Sequence, residues 1–383
     1  MDDMQKSQGY QLFLFINTTV ITFTLACIVI ASGIALFTVK MSSDIASSVI
    51  NEPQSNSIYL HLLKSANHSF VNEKDIEEIS VSDMAFKFAT SVTPEDPRTF
   101  LGRELPLFSF FDTKIHIAGQ GTDYTTLPIE SPQPMEELLK DRETVPPDEE
   151  NESEEKDNKD PVKPPENKTV YIYHSHSWES YLPFIKNGEV PNDAISNDEK
   201  YNIISVGRKL QDNLHDEGIG VDHNKTNMTE ALHSKGLNYN HSYTRARDFV
   251  AEAMASNEDL SYLIDIHRDD KRRDTTTIEI NGKSYARLFF VVGEENKNFE
   301  KNLKLAEDLN KALEEKYPGL SRGVLRKDFS VGNGVYNQDL SERAILLEAG
   351  GVDNNREELN HAMDAFSEVF SEYYWKQKDA EAQ

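Results

Sequence analysis

"TVYIYHSHSWESYLP", residues 169–183, carries two kinds of information in one stretch. "TVYIYH" is a short run of β-branched and aromatic residues, which reads as a buried strand. Directly behind it come His174, His176, Trp178 and Glu179. Two imidazoles and a carboxylate at a strand end can form a metal site, a proton-transfer cluster or an ordinary polar loop. The surrounding pattern decides among these.

Downstream the chain has a regular rhythm. "NIISVGRKLQDNLHDEG" places Ile203, Val206, Leu210 and Leu214 at helical spacing and stops at Gly218. "IGVDHN" reads as a strand, "YTRARDFVAEAMASN" as a helix and "LSYLIDIH" as a further strand ending on His267. "TTTIEINGKSYARLFFVVG" predicts a hairpin turning at Asn281–Gly282. A long helix follows, then the strands "SRGVLRK" and "RAILLEAG", then a closing helix from "NREELNHAMDAFSEVFSEYYW". Strands alternating with helices predict an α/β domain with a mostly parallel sheet flanked by helices. In such sheets, sites gather at the carboxyl ends of the strands. His174, His176, His267 and Glu348 all fall there, with Glu179 one turn on. Two histidines and a carboxylate are a usual ligand set for catalytic zinc. A further carboxylate can serve as general base. His215, His223, His233, His241 and His361 have no converging partner in the pattern and read as ordinary.

Upstream the composition changes. The chain has 383 residues, 38% of them apolar, and a formal charge of −26. That balance argues against nucleic-acid binding, which needs Lys and Arg for the phosphates. The single cysteine, Cys27, excludes a disulfide framework within one chain and a Cys-based zinc ribbon. From Ser7 to Val39 there is no charged residue. As a helix rising about 1.5 Å per residue, Leu12–Val39 is long enough for a hydrocarbon core of about 30 Å. It reads as an uncleaved single-pass anchor, with everything after Lys40 on one side. Between Asp141 and Asp160 acidic residues far outnumber basic ones, among scattered prolines. Such a segment buries too little apolar surface to fold and predicts an extended linker. The expected organisation is therefore a tip and anchor at 1–40, a juxtamembrane region at 41–126, a linker at 127–165, a domain at 166–375 and a tail at 376–383.

"YIYHSHSWESYLP", "YNHSYTRAR", "DIHRD", "YNQDLS" and "ILLEAGGVDNN", in this order and spacing, resemble the stage II sporulation protein P family over about 166–375. The resemblance implies a membrane-anchored, zinc-dependent N-acetylmuramoyl-L-alanine amidase that degrades peptidoglycan during endospore formation, with cleavage of peptide cross-links also credited to it. It implies the cell membrane as location, with the catalytic domain on the extracytoplasmic side. It also implies stage II sporulation proteins D and M as partners. Carried onto this chain, it makes His176, Glu179 and His267 the zinc ligands and Glu348 the catalytic residue. The neighbourhood of Glu199 is the alternative to Glu179, and His174 the alternative to His176. Arg268, Arg245, His174 and Asn354 are the implied substrate contacts, since Arg can hold a carboxylate bidentately. Gly350 and Gly351 are expected to let a substrate backbone approach. The rival readings are a zinc carboxypeptidase or endopeptidase restricted to stem peptides, and a non-catalytic peptidoglycan-binding scaffold.

Overall fold

The continuous apolar runs of the sequence become the interior strands of one sheet, covered by helices on both faces. A computed structural model of the chain describes residues 113–128, 135–140, 142–145, 165–329 and 332–381. In chain order the elements are β1 (Lys114–Ala118), α1 (Met135–Leu138), β2 (Lys168–Tyr173), α2 (Ile203–Asp216), β3 (Gly220–His223), α3 (Met228–His233) and α4 (Ser242–Ser256). Then come β4 (Tyr262–Asp269), α5 (Arg273–Thr276), β5 (Thr277–Ile280), β6 (Lys283–Ala286), β7 (Leu288–Gly293), α6 (Phe299–Lys316), β8 (Ser321–Lys327), β9 (Arg343–Gly351) and α7 (Arg356–Glu381).

The seven-stranded sheet has the order β1-β8-β7-β9-β4-β2-β3. β3, β2, β4 and β9 run parallel, as do β7 and β8, while β7 opposes β9 and β1 opposes β8. The sheet is thus mixed, with a parallel centre. One face carries Val170, Ile172, Ile264, Ile266 and Leu347, packed under α2, α6 and α7. The other presents Tyr171, Tyr173 and Leu263 to α3 and α4. A strand buried on both faces needs apolar side chains throughout, which is why these segments lack a clean alternation. The hairpin β5–β6 stands apart and turns at Asn281 (φ 51°) and Gly282 (φ 78°), the left-handed pair that a two-residue turn demands.

Helix α2 shows how local chemistry sets an element. The Asn202 side chain accepts from the Ile204 backbone N–H and caps the first turn. Ile203, Val206, Leu210 and Leu214 are buried, and the chain leaves the helix through Gly218 at φ 78°.

Three expectations need correction. The folded unit does not begin at 166. Lys114–Ala118, expected in the juxtamembrane region, pairs with β8, and the carbonyls of Gln120 and Thr126 accept from the buried guanidinium groups of Arg287 and Arg322. Within the expected linker 127–165, Leu127 and Leu138 are buried, and Thr144 bridges to Ile185. The tail expected at 376–383 continues as α7 to Glu381, where Arg343 meets its carboxylate. The third correction concerns location. Among the described residues no helix is long and apolar enough to cross a membrane, so the expected single-pass membrane localisation is not supported. Leu12–Val39, on which that expectation rested, lies outside the described residues.

A chain starting at 166 should therefore be less stable than one starting at 113. It loses the β1 ladder and leaves two buried guanidinium groups short of an acceptor, each costing about 1–3 kcal/mol. At about 2–4 °C per kcal/mol for a domain this size, thermal unfolding should show its Tm lower by about 5 °C or more. Equal melting temperatures would make β1 dispensable.

Candidate metal centre

Parallel pairing decides which side chains meet. His267 near the end of β4 is the register partner of Glu348 on β9, and β2 flanks β4 on its other side. The chain leaving β2 turns through 174–180 and is stitched down by bridges from Glu179 to Ile195 and from Ser180 to Asn202. That turn swings His176 and Glu179 over the end of β4.

His176, Glu179 and His267 are buried, and one ligand atom from each lies within 4.8 Å of the others. His176 Nδ1 is 3.3 Å from Glu179 Oε1, and His267 Nδ1 is 3.6 Å from Glu179 Oε2. A tetrahedral ion with bonds of about 2.0–2.2 Å has donor–donor edges of roughly 3.4 Å, so the spacing fits. The donor chemistry fits as well, since two imidazoles with one carboxylate are ligands that zinc takes.

The electrostatics are set by burial and by neighbours. Burial alone would raise the Glu179 carboxyl. The charges and hydrogen bonds of His267 and His176 outweigh it and hold Glu179 well below the usual carboxylate range. The Arg268 backbone N–H also donates to Glu179 Oε2 at 2.9 Å. Burial would lower His267, but Asp265 and Glu179 raise it well above the usual value. Asp265 is fully buried, 3.1 Å from His267 Nε2, and accepts from Ser175 N (2.9 Å) and Ser175 Oγ (2.6 Å). Glu348 is pushed up by burial, and Asp269 and Glu179 add to this against the opposing charges of His267 and Lys327. Its Oε2 has no hydrogen-bond partner among the described residues.

The remaining expected site residues are engaged elsewhere. His174 is buried but turned away from the triad, with its Nδ1 3.0 Å from the Ile266 carbonyl and its Nε2 2.9 Å from His223 Nε2. Burial lowers its pKa to about 4. His223, read as ordinary, is therefore the half-buried partner of the buried His174. Gly207 of α2 leaves room for it, since a Cβ there would lie 2.7 Å from both rings. Arg268 places its guanidinium on Asp270 (2.5 Å) and the Ala194 carbonyl (3.3 Å). Arg245 pairs with Asp248 and lies over Phe249, 4.1 Å from the ring centroid. Asn354 is fully buried, accepting from Gly351 N and donating to Thr277 Oγ1 and Glu358 at the start of α7. Glu199 is half exposed and paired with Arg208, away from the triad. Gly350 and Gly351 serve packing: a Cβ would meet Asn354 Oδ1 at 2.5 Å and the Lys271 carbonyl at 2.2 Å respectively.

Sequence reasoning passed over Asp265, Ser242, Tyr239 and Tyr243. Ser242 Oγ lies 3.0 Å from His176 Nε2, and Tyr239 stacks on the His176 ring at 4.6 Å. Tyr243 meets both metal-site histidine rings. A signal for Asp265 was present: an acidic residue inside the apolar strand "YLIDIH" needs a buried partner, and His267 is two residues on.

Metal analysis of single variants tests the ligand set. His176→Ala, Glu179→Ala and His267→Ala should each lose most bound zinc, whereas His174→Ala should keep it and melt at lower temperature. Retention by His176→Ala with loss by His174→Ala would reverse the assignment.

Similarity to known proteins shows the family to which the chain belongs. The chain is 46% identical over 370 residues to stage II sporulation protein P of Bacillus subtilis (strain 168), covering 95% of this chain and 91% of that relative. Two solved structures are distantly similar to parts of the chain. Cwp6 from Clostridium difficile has a TM-score of 0.34 at 17% identity, with 54% of this chain and 29% of that chain covered. A metallo-carboxypeptidase from Burkholderia cenocepacia has a TM-score of 0.32 at 11% identity, with 55% and 58% covered. The chain spans less than two thirds of either structure. The profile of stage II sporulation protein P (SpoIIP) matches residues 95–371, and with that relative it establishes that the chain belongs to this sporulation-protein family.

Proposed function

We propose that the chain is a zinc-dependent peptidoglycan hydrolase that cuts the amide between N-acetylmuramic acid and L-alanine. The observation that carries this reading is a buried triad of His176, Glu179 and His267 beside a second buried carboxylate, Glu348, on the adjoining strand. Membership of a sporulation-protein family supports cell-wall degradation as its setting.

His176, Glu179 and His267 would hold the ion. When bound, zinc supplies Lewis-acid chemistry, polarising a carbonyl and making water more acidic. The chain's own contribution to proton transfer then falls to Glu348. Amide hydrolysis needs a base to take a proton from water and an acid to give one to the leaving amine. A carboxyl whose pKa has been raised by burial does both near neutral pH, where an ordinary carboxylate is too weak a base. Glu179 is unsuited to that task because His267 and His176 hold it ionised. A non-catalytic scaffold would have no use for a carboxylate left buried with an unpartnered oxygen, since burial of that kind costs stability.

Mass spectrometry of muropeptides digested by the zinc-loaded chain, and again after chelation, tests the reaction. Release of peptides beginning with L-alanine, abolished by chelation, is the expected product pattern. Products cut only within the stem peptide would make the enzyme a peptidase. Glu348→Gln should retain zinc and fold normally while cleavage falls by about two orders of magnitude or more. Normal cleavage by that variant would remove Glu348 from the mechanism, and loss of zinc would make it a ligand.

A further inference from the structure

Whether an imidazole can bind a metal through a given nitrogen depends on where its proton sits, and the other nitrogen's partner fixes that. For His176 the partner is Ser242, the first residue of α4 and almost fully buried. A serine hydroxyl has one proton. Ser242 Oγ donates it to the Tyr239 carbonyl at 2.7 Å. Towards His176 Nε2, 3.0 Å away, the oxygen can then only accept. His176 therefore donates through Nε2, which leaves Nδ1, 3.3 Å from Glu179 Oε1, as the nitrogen available to a metal.

Ser242 is itself held by contacts far from it in sequence. Arg247 on α4 makes two hydrogen bonds to Asp339, at 2.6 and 2.7 Å. Asn337 Nδ2 donates to the Tyr243 carbonyl at 2.9 Å, and Tyr336 packs edge-on against the Tyr243 ring. Tyr336 and Asn337 take φ values of 53° and 57°, a left-handed pair that non-glycine residues rarely adopt. Gln338 clamps the turn to β7 through Gly293 N and the Val291 carbonyl, both at 2.9 Å. The family motif "YNQDLS" thus has a mechanical role, fastening the start of α4 to the sheet.

From these contacts we infer that Ser242 is a positioning residue, which sets the tautomer and ring orientation of His176 so that Nδ1 is presented to the metal. This rests on the metal-site reading above. The two readings are distinguished by whether zinc binds at all and, once bound, by which ring nitrogen keeps its proton.

Long-range proton–nitrogen NMR of the full zinc-loaded chain should show His176 with its proton on Nε2 and its Nδ1 turned to the metal. A zinc-loaded wild type that keeps its His176 proton on Nδ1 would overturn the inference, whether or not any variant folds. Ser242→Ala should shift His176 towards a mixture of tautomers and weaken zinc binding about 10–100-fold in chelator competition. Ser242→Thr, which keeps the hydroxyl, should restore most of both. An alanine variant with wild-type tautomer and wild-type zinc affinity would refute the assignment. Failure of the wild type to take up zinc would instead refute the metal-site reading, and this inference with it.

Discussion

The site depends on one buried carboxylate being shared. Glu179 is removed from water, which is costly for a charge unless it is paired and hydrogen-bonded. It is satisfied from three directions: His176 in its own turn, His267 at the end of β4 and the Arg268 backbone N–H. Two of these come from a strand about 90 residues away in sequence. The turn after β2 can therefore hold this conformation only when β4 is already paired beside it. Glu179 ties the loop to the sheet, and the geometry of the candidate metal centre follows from that tie.

Much of this was legible because it is written in short-range pattern. Continuous apolar runs announced β2, β4 and β9, and their lengths fixed where each strand ends, so His267 and Glu348 could be placed at one sheet edge without coordinates. The triad was legible because His176 and Glu179 are three residues apart. β1 was not. Lys114–Ala118 alternates polar and apolar residues as any exposed strand does, and its partner β8 lies about 200 residues on. Nothing local records such a pairing. The same is true of Leu138, whose burial depends on Tyr171, Trp178 and Met228 packing around it.

Polar side chains were the least legible class, for a related reason. Asn354 and Arg268 look like substrate contacts in a sequence because amides and guanidinium groups bind ligands well. They bind the chain's own carbonyls and carboxylates equally well. Arg268 is taken up by Asp270 two residues on, and Asn354 by the start of the helix it precedes. Burial of their polar groups requires such partners, so a buried polar residue is accounted for by the fold before any ligand arrives.

The two histidines of the opening segment make the distinction sharpest. His174 and His176 are the same residue type two positions apart, and both are buried. His174 spends both ring nitrogens within the fold, one on the Ile266 carbonyl and one on His223. His176 spends one nitrogen on Ser242 and directs the other at a carboxylate. The carboxylates divide in the same way: His267 and His176 hold Glu179 ionised, while burial pushes Glu348 towards the protonated form. Within one sheet edge, identical side chains thus acquire opposite chemistry from their partners alone. A ligand and a proton-transfer group can then sit side by side without exchanging roles, because exchanging them would require lifting the turn after β2 off the end of β4.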